Sequence, residues 1–310
     1  MSDLKLFRMA AGNATEIMSK SVALEKSLQT LIEQNMETLF GARFLASEYH
    51  TGAKHRGRID SLGIDENFTP VIFEYKRAID ENVINQGLFY LDWLLDHRAE
   101  FELLVRKTLD EETAGTIDWR NPRLICIANA FTRYDEHAVL QINRAIELVR
   151  YRDFGGELLA LELVTTSKAD AVTSISPESF GKTNRKGIGT KGQKTFSELL
   201  LQSSDALKTL YADLERYCQN LGDDVTVTVR KNYTAFRRLK NFACVEVHPQ
   251  SNNLLVYLKV DPETIELTPG YSRDVRAIGH FGTGDLELRV STSEHLQQAL
   301  PLVRSSYEAS

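Results

Sequence analysis

The stretch VIFEYK, residues Val71 to Lys76, decides the fold of this chain because it carries charge inside an apolar run. Side chains alternate across a strand, so Glu74 and Lys76 share one face while Tyr75 points the other way. Charged groups in a buried strand are costly unless something compensates them. The stretch therefore predicts a central strand that carries a functional charge cluster, and a divalent cation is the expected compensator.

A second acid precedes this strand in the sequence GRID, residues 57–60. Antiparallel pairing around a turn at 65–69 would bring Asp60 beside Glu74. The two carboxylates and the backbone carbonyl of Tyr75 offer hard oxygen ligands to Mg²⁺, which keeps several of its waters. Lys76 could position or deprotonate the attacking water, or neutralise charge on a phosphate. The pattern indicates metal-dependent cleavage of a phosphodiester.

Gln86 and Tyr90 follow four residues apart in a segment that predicts a helix from about 80 to 97. Residues with this spacing lie on one helical face. We expect both side chains to approach the end of the strand, where they would orient the lysine, a metal-bound water or a phosphate.

Composition sets broad limits. The chain has 310 residues, an apolar fraction of 42% and a net charge of −6, which argues against a protein that coats nucleic acid electrostatically. No apolar run approaches the roughly 20 residues that span a bilayer, and the N-terminus lacks a signal-peptide core. The three cysteines have no metal or disulfide spacing. A cytoplasmic protein with no membrane contact is expected.

The order of predicted elements in the first half is typical of an α/β sheet. Apolar spacing predicts an antiparallel meander followed by helical crossovers. The elements are a helix over 20–40, strands over 42–50, 58–64 and 71–76, helices over 80–97 and on to 108, a strand over 123–129, a helix over 132–150 and a strand over 157–165.

The composition changes after this core. Residues 166–195 are rich in Ser, Thr, Gly and Lys and predict a flexible basic linker, either a solvated tether or a strap that contacts phosphates. Residues 196–310 predict a smaller α+β domain, with a helix over 196–221, four strands (225–229, 242–248, 254–260 and 286–290) and a last helix over 294–307. We thus expect domains at 1–165 and 196–310.

Asp60 with Glu74-Tyr75-Lys76 resembles the signature of the PD-(D/E)XK nucleases, although Ile59 stands where that signature has proline. Gln86 to Tyr90 resembles the QxxxY extension of the RecB-like and NucS-like branches. The wider text over about 20–165 resembles the NucS/EndoMS-type catalytic domain. The second half resembles a domain of unknown function appended to such nucleases, so mismatch specificity does not transfer.

This resemblance implies a restriction-endonuclease-like αβββαβ core and hydrolysis of DNA with Mg²⁺ or Mn²⁺, in repair, restriction or defence. Asp60 and Glu74 would bind the metal, Lys76 would be the catalytic lysine, and Gln86 and Tyr90 would be accessory. The family often adds a glutamate from the first helix, for which Glu33 is preferred over Glu37. Duplex cutters of this class often act as dimers, so a homodimer is expected.

Basic residues surround the predicted site, and two readings of them stay open. Arg58 and Arg77 flank the acids and either contact DNA phosphates or pair with carboxylates. Lys54 and Arg56 lie at a predicted turn and either contact phosphates or are simply solvated. The alternative function is a non-catalytic protein that keeps the nuclease fold and binds nucleic acid or another partner. An RNA substrate is a third hypothesis.

Overall fold

The computed structural model describes residues 4–19, 25–76, 83–167 and 194–310. The chain divides into two compact units, residues 1–169 and 170–310. Apart from residues 166, 167, 194 and 195, the predicted basic linker lies outside the described residues. Each unit is described by itself below.

The first unit is built on a six-stranded mixed sheet. Its strands follow the order β3-β4-β5-β6-β7-β8; β5, β6 and β7 are parallel, and the other pairs are antiparallel. This mixed α/β architecture confirms the predicted fold class. The elements are β1 (Leu6–Ala10), β2 (Asn13–Ile17), α1 (Glu25–Gln34), α2 (Met36–Phe40), β3 (Ala42–His50), α3 (Gly52–His55), β4 (Arg58–Asp65), β5 (Pro70–Lys76), α4 (Val83–Asp96), α5 (Arg98–Thr108), α6 (Glu111–Gly115), β6 (Arg123–Ala128), α7 (Arg133–Leu140), β7 (Ala145–Phe154) and β8 (Leu158–Thr166).

Helices cover both faces of the central strands, which is why β5 and β6 are almost continuously apolar. On one face, the Phe40 ring of α2 meets the Phe73 ring of β5 edge to face at 5.2 Å. On the other face, Gly87 of α4 lies so close to Leu124 that an added Cβ would come within 2.5 Å of its Cδ1 atom. The sheet is thus a buried layer, and a charge on either central strand needs a reason.

The helix predicted over 132–150 is wrong in its second half. Helix α7 ends at Leu140, and β7 begins at Ala145 and pairs with β6 and β8. A strand buried on both faces loses the alternation that would identify it in the sequence. Ile146 and Val149 happen to follow helical spacing, and the apparently polar Glu147 is buried against Arg123.

The second unit is an antiparallel sheet of order β13-β14-β12-β11-β10-β9 packed against helices, as the predicted α+β domain requires. The predicted helix over 196–221 is two helices, because the Ser204 hydroxyl accepts from Leu207 N and starts a new one. The elements are α8 (Phe196–Leu201), α9 (Asp205–Gln219), β9 (Thr226–Val229), β10 (Thr234–Arg237), β11 (Asn241–His248), β12 (Asn253–Leu258), a 3₁₀ turn (Pro262–Thr264), β13 (Ser272–Asp274), β14 (Leu286–Val290) and α10 (Ser293–Glu308).

Across the described ranges of both units, every helix is too short or too polar to cross a lipid bilayer.

Candidate active site

The register of β4 and β5 brings the two predicted acids together. Ser61 pairs with Phe73, which sets Asp60 opposite Glu74 on the next step of the ladder. Each carboxylate accepts from the partner strand: Asp60 N donates to Glu74 Oε1 at 3.3 Å, and Tyr75 N donates to Asp60 Oδ2 at 3.1 Å. The main chain therefore holds both carboxyl groups in one place.

These two acids repel each other in a poorly solvated position. Glu74 is 0% exposed, and its Oε2 atom has no hydrogen-bond partner among the described residues. Burial and the nearby Asp60 carboxylate together raise the pKa of Glu74 to about 9. Burial also raises the pKa of Asp60, against the opposing effects of the Tyr75 amide and Lys76. The pair lacks a full counter-charge.

The chemistry of this pair fits a hard divalent cation. An orphaned carboxylate oxygen beside a second carboxylate is an arrangement that Mg²⁺ or Mn²⁺ would neutralise. Within the described ranges, no group of three or more His, Cys, Asp and Glu side chains is arranged to hold a metal ion. A cation here would therefore depend on two carboxylates, waters and the backbone. The predicted role of the Tyr75 carbonyl stays a prediction.

Lys76 lies at the end of β5, two residues after Glu74 and on the same face of the strand. Its side chain is 18% exposed, and its Nζ atom lies 3.9 Å from Glu25 Oε1. Glu25 is the first residue of α1. The first helix thus directs an acid, Glu25 in its first turn, towards the lysine.

Glu33, the preferred helix glutamate, lies elsewhere. Its Oε1 atom accepts from Ser61 Oγ at 2.6 Å and from Gln29 Nε2 at 2.9 Å. Ser61 follows Asp60 directly and points to the opposite face of β4. The structure therefore brings Asp60, Glu74 and Lys76 together without Glu33. The residues that sequence reasoning missed are Glu25 and Gln29, whose Nε2 atom donates to the Asp60 carbonyl at 2.7 Å.

Gln86 and Tyr90 meet on one face of α4, as predicted, but they hold the backbone of β4. The Tyr90 hydroxyl accepts from Gln86 Nε2 and from the Arg58 amide, each at 3.2 Å. Gly57 makes room for the ring, since an added Cβ would lie 2.4 Å from Tyr90 Cε1. This contact fixes β4 two residues before Asp60. In this arrangement both side chains position the strand that carries the acid.

The four basic residues predicted to contact phosphates differ from one another in their surroundings. Arg58 Nε forms an ion pair with Glu48 Oε2 at 2.5 Å, so this arginine has an acidic partner. Arg56 is exposed and follows α3, a single helical turn that links β3 and β4. Lys54 lies within α3, and the placement of its side chain is not described. Arg77 lies outside the described residues.

A second acidic cluster occupies the far end of β4. Arg123 Nη1 donates to Asp65 Oδ2 at 3.1 Å, and the same guanidinium binds both carboxylate oxygens of Glu147 at 2.8 and 2.9 Å. Asp65 Oδ1 also accepts from the amides of Asn67 and Thr69, each at 2.9 Å. Asp65 is therefore a turn acid with a buried cationic partner.

Comparison with known proteins gives a family model for the second unit and a full-length relative. Residues 196–310 match a model described as a domain of unknown function, DUF5655, in agreement with the resemblance stated for this half. An uncharacterized protein of Haemophilus influenzae is 26% identical over 311 residues, covering 98% of this chain and 99% of that protein.

Two solved structures are similar to part of the chain: an EndoMS-dsDNA2 complex and a repair endonuclease from Pyrococcus abyssi. Each is 20% identical with a TM-score of 0.29, and the match covers 42% of this chain. The chain spans about half of each solved chain, 47% and 48%. A TM-score this low does not indicate function. The function is therefore inferred from the side chains of the site.

Proposed function

We propose that this protein is a Mg²⁺- or Mn²⁺-dependent DNA endonuclease that hydrolyses phosphodiester bonds. The observation that carries the proposal is the pair of the buried Glu74 and the half-buried Asp60, which backbone amides hold together and in which Glu74 Oε2 has no hydrogen-bond partner among the described residues. A sheet would not retain such a pair for stability, because a buried carboxylate beside a second carboxylate destabilises the fold. A bound cation would neutralise the repulsion between the two carboxylates, and the pair would serve as its binding site.

Each residue of the site would have a distinct role. Asp60 and Glu74 would hold the ion, which lowers the pKa of a bound water and neutralises charge on the phosphate. Lys76 would orient the attacking water or the phosphate, because its ammonium lies on the same face as Glu74. Glu25 would hold that ammonium in place. Gln86 and Tyr90 would keep Asp60 in register through the Arg58 amide.

DNA is the proposed substrate because the acids, the lysine and the Gln–Tyr pair match the PD-(D/E)XK and QxxxY patterns in their order along the chain. Cutting both strands of a duplex would use a homodimer, with one site for each strand. The exposed Arg56 beside the site would contact a phosphate.

The direct test is cleavage of supercoiled plasmid and of single-stranded DNA with Mg²⁺ or Mn²⁺. Asp60→Ala and Glu74→Gln should each lose about 1,000-fold in rate, since the ion supplies several kcal/mol of transition-state stabilisation at 1.36 kcal/mol per tenfold. Glu33→Gln is the matched control, because Glu33 binds Ser61 on the opposite face, and it should stay active. Asp60→Ala activity equal to that of the wild type would refute the proposal.

One observation favours a second candidate, a non-catalytic protein that binds nucleic acid or another partner. The described residues offer no third His, Cys, Asp or Glu that completes a metal site around Asp60 and Glu74. Titration calorimetry distinguishes the two functions. Mn²⁺ binding that Asp60→Ala abolishes supports the nuclease, whereas DNA affinity without detectable Mn²⁺ binding supports the second candidate.

A further inference from the structure

Glu48 has a strained backbone beside the candidate active site. It lies within β3, yet its φ is 52°, in the left-handed region that residues with a Cβ atom rarely adopt. The ladder pairs on either side of it set Glu48 opposite Asp60 of β4. Such strain persists where the surrounding structure holds it in place, often at functional sites. The position and the strain together indicate a functional role for the Glu48 carboxylate.

This carboxylate binds two cations. Its Oε1 atom accepts from Lys26 Nζ at 3.0 Å, and its Oε2 atom forms an ion pair with Arg58 Nε at 2.5 Å. Burial raises the pKa of Glu48, but Lys26 and Arg58 lower it overall, so the carboxylate is ionised at neutral pH. The side chains of Lys26 and Arg58 are 57% and 59% exposed, and ion pairs of exposed groups add little to stability. Stability alone therefore does not explain the strained Glu48.

Arg58 lies within reach of a second acid, Asp60. The two residues are two apart on β4, on the same face and about 7 Å from each other along the strand. Glu48 is a diagonal neighbour of Arg58 across the ladder, at a similar distance of about 7–8 Å. Burial raises the pKa of Asp60, and the charge of Glu48 raises it further, so these two acids interact. The guanidinium thus has two acids within reach, and its ion pair is with Glu48.

The acidic cluster around Arg123 shows what an arginine between two carboxylates does. Its guanidinium bonds to both acids of that cluster and supplies their counter-charge inside the fold. An Arg58 guanidinium bound to Asp60 would compensate the Asp60–Glu74 pair in the same way. It would then compete with a divalent cation for the two carboxylates.

We propose that Glu48 is a positioning residue that holds Arg58 away from Asp60 and so keeps the Asp60–Glu74 pair open to a divalent cation. The inference rests on the proposed function and adds a control over the access of the ion to the site. Lys26 ties Glu48 to α1, which fixes the carboxylate that holds the guanidinium. Without the charge of Glu48, Arg58 would turn to Asp60, the other acid within its reach.

The test is Mn²⁺ binding to the full-length protein, measured by titration calorimetry without DNA. Glu48→Gln keeps the length of the side chain and removes its charge, so Arg58 should turn to Asp60 and weaken Mn²⁺ binding about tenfold. Arg58→Ala removes the competitor, and in that background Glu48→Gln should weaken Mn²⁺ binding by at most about twofold. This dependence on Arg58 separates competition from a direct effect of the Glu48 charge on the ion.

Two further variants control for folding and for the loss of an exposed acid. Glu48→Asn suits a left-handed φ, so it should fold at least as stably as the wild type and still lose Mn²⁺ affinity. Glu157→Gln removes the acid that pairs with the exposed Arg8 of β1 and should leave the affinity unchanged. A crystal structure of Glu48→Gln should show the Arg58 guanidinium within about 4 Å of an Asp60 carboxylate oxygen.

Wild-type Mn²⁺ affinity in Glu48→Gln, or equal losses with and without Arg58, would overturn this role of Glu48. Failure of the proposed function appears separately, as Asp60→Ala cleaving DNA like the wild type. A protein that binds Mn²⁺ through Asp60 whether or not Glu48 is charged loses only the present inference. A wild type that binds no Mn²⁺ overturns both the inference and the metal role of the acid pair.

Discussion

Two acidic clusters on the same β-strand have opposite electrostatic outcomes. At one end of β4, Asp65 is joined to Glu147 by Arg123, whose side chain is 3% exposed and which bonds to both carboxylates. At the other end, Asp60 meets Glu74, and the cation beside them, Lys76, also lies 3.9 Å from Glu25. We call the first cluster complete because one guanidinium bonds to both of its carboxylates, and the second incomplete because the Glu74 Oε2 atom has no hydrogen-bond partner among the described residues.

This difference assigns a structural role to the cluster of Asp65 and Glu147 and a functional role to the pair of Asp60 and Glu74. The fold is able to provide a buried guanidinium where acids serve only to fix a turn. At Asp60 and Glu74 it instead uses backbone amides, which hold the carboxylates without neutralising them. An acid pair that is positioned yet under-compensated is the state expected of a cation site before the cation binds.

The largest expected effect on stability follows from breaking the complete cluster. Arg123→Met would leave two buried carboxylates without their partner, and we expect the free energy of unfolding to fall by about 3–5 kcal/mol. Urea unfolding followed by tryptophan fluorescence measures this, because Trp93 and Trp119 both lie in the first unit.

Arg120→Met is the matched control. Arg120 pairs with Asp118 through a guanidinium that is 60% exposed, and its loss should cost no more than about 1 kcal/mol. Similar losses in the two variants would show that the buried cluster has no special role.

The second prediction concerns Asp60 and Glu74, where a substitution should raise the free energy of unfolding instead of lowering it. The pKa of Glu74 is raised from 4.5 to about 9, so the folded state holds a proton that the unfolded state releases at neutral pH. Stability from this group is present below pH 4.5 and is lost as the pH rises towards 9. Without divalent ions, Glu74→Gln should therefore be more stable than the wild type at pH 8, by on the order of 2 kcal/mol.

Thermal unfolding in EDTA at several pH values tests this. The gain should shrink as the pH falls towards 4.5, because the unfolded state then also holds the Glu74 proton and the difference in bound protons disappears. A Glu74→Gln variant that is less stable than the wild type at pH 8 would contradict the assignment of Glu74 as an uncompensated acid.

The third prediction is that Mn²⁺ binding displaces the proton that Glu74 holds. Because Glu74 carries a proton at neutral pH, binding of Mn²⁺ should release about one proton, and the Mn²⁺ affinity should rise by about tenfold per pH unit. Calorimetry in buffers of different ionisation enthalpy counts the protons. Asp65→Asn, which alters the other cluster, should leave the proton count unchanged. Binding with no proton release would mean that the ion does not displace the Glu74 proton.

Much of the sheet could be predicted from the sequence because its elements carry local signals. Strand β3 has its predicted ends, Ala42 and His50, and the run before Glu74 identifies β5. Strand β7 could not be predicted, since burial on both faces removes its alternation and the ion pair of Glu147 depends on Arg123, 24 residues away. Pairing across the sheet is not encoded locally.

The site shows the same limit. The E-x-K spacing and the preceding acid predict which side chains share a face, because strand geometry fixes it. The choice of helix glutamate depends on where α1 crosses the sheet, and Glu25, Gln29 and Glu33 recur every four residues along one side of that helix. Their spacing alone gives no reason to prefer the residue nearest Lys76.

The smallest expected effect tests how Asp60 is positioned. Tyr90→Phe keeps the ring against Gly57 but removes the acceptor for the Arg58 amide, which should cost about 1 kcal/mol of stability. We expect the cleavage rate to fall by about tenfold or less while the Mn²⁺ affinity is nearly unchanged, because the carboxylates remain and only their strand loosens. Gln86→Met removes only the donor to the same hydroxyl and should have a smaller effect. If Gln86→Met instead costs more activity than Tyr90→Phe, Gln86 contacts the substrate directly, and the clamp on β4 is not its main role.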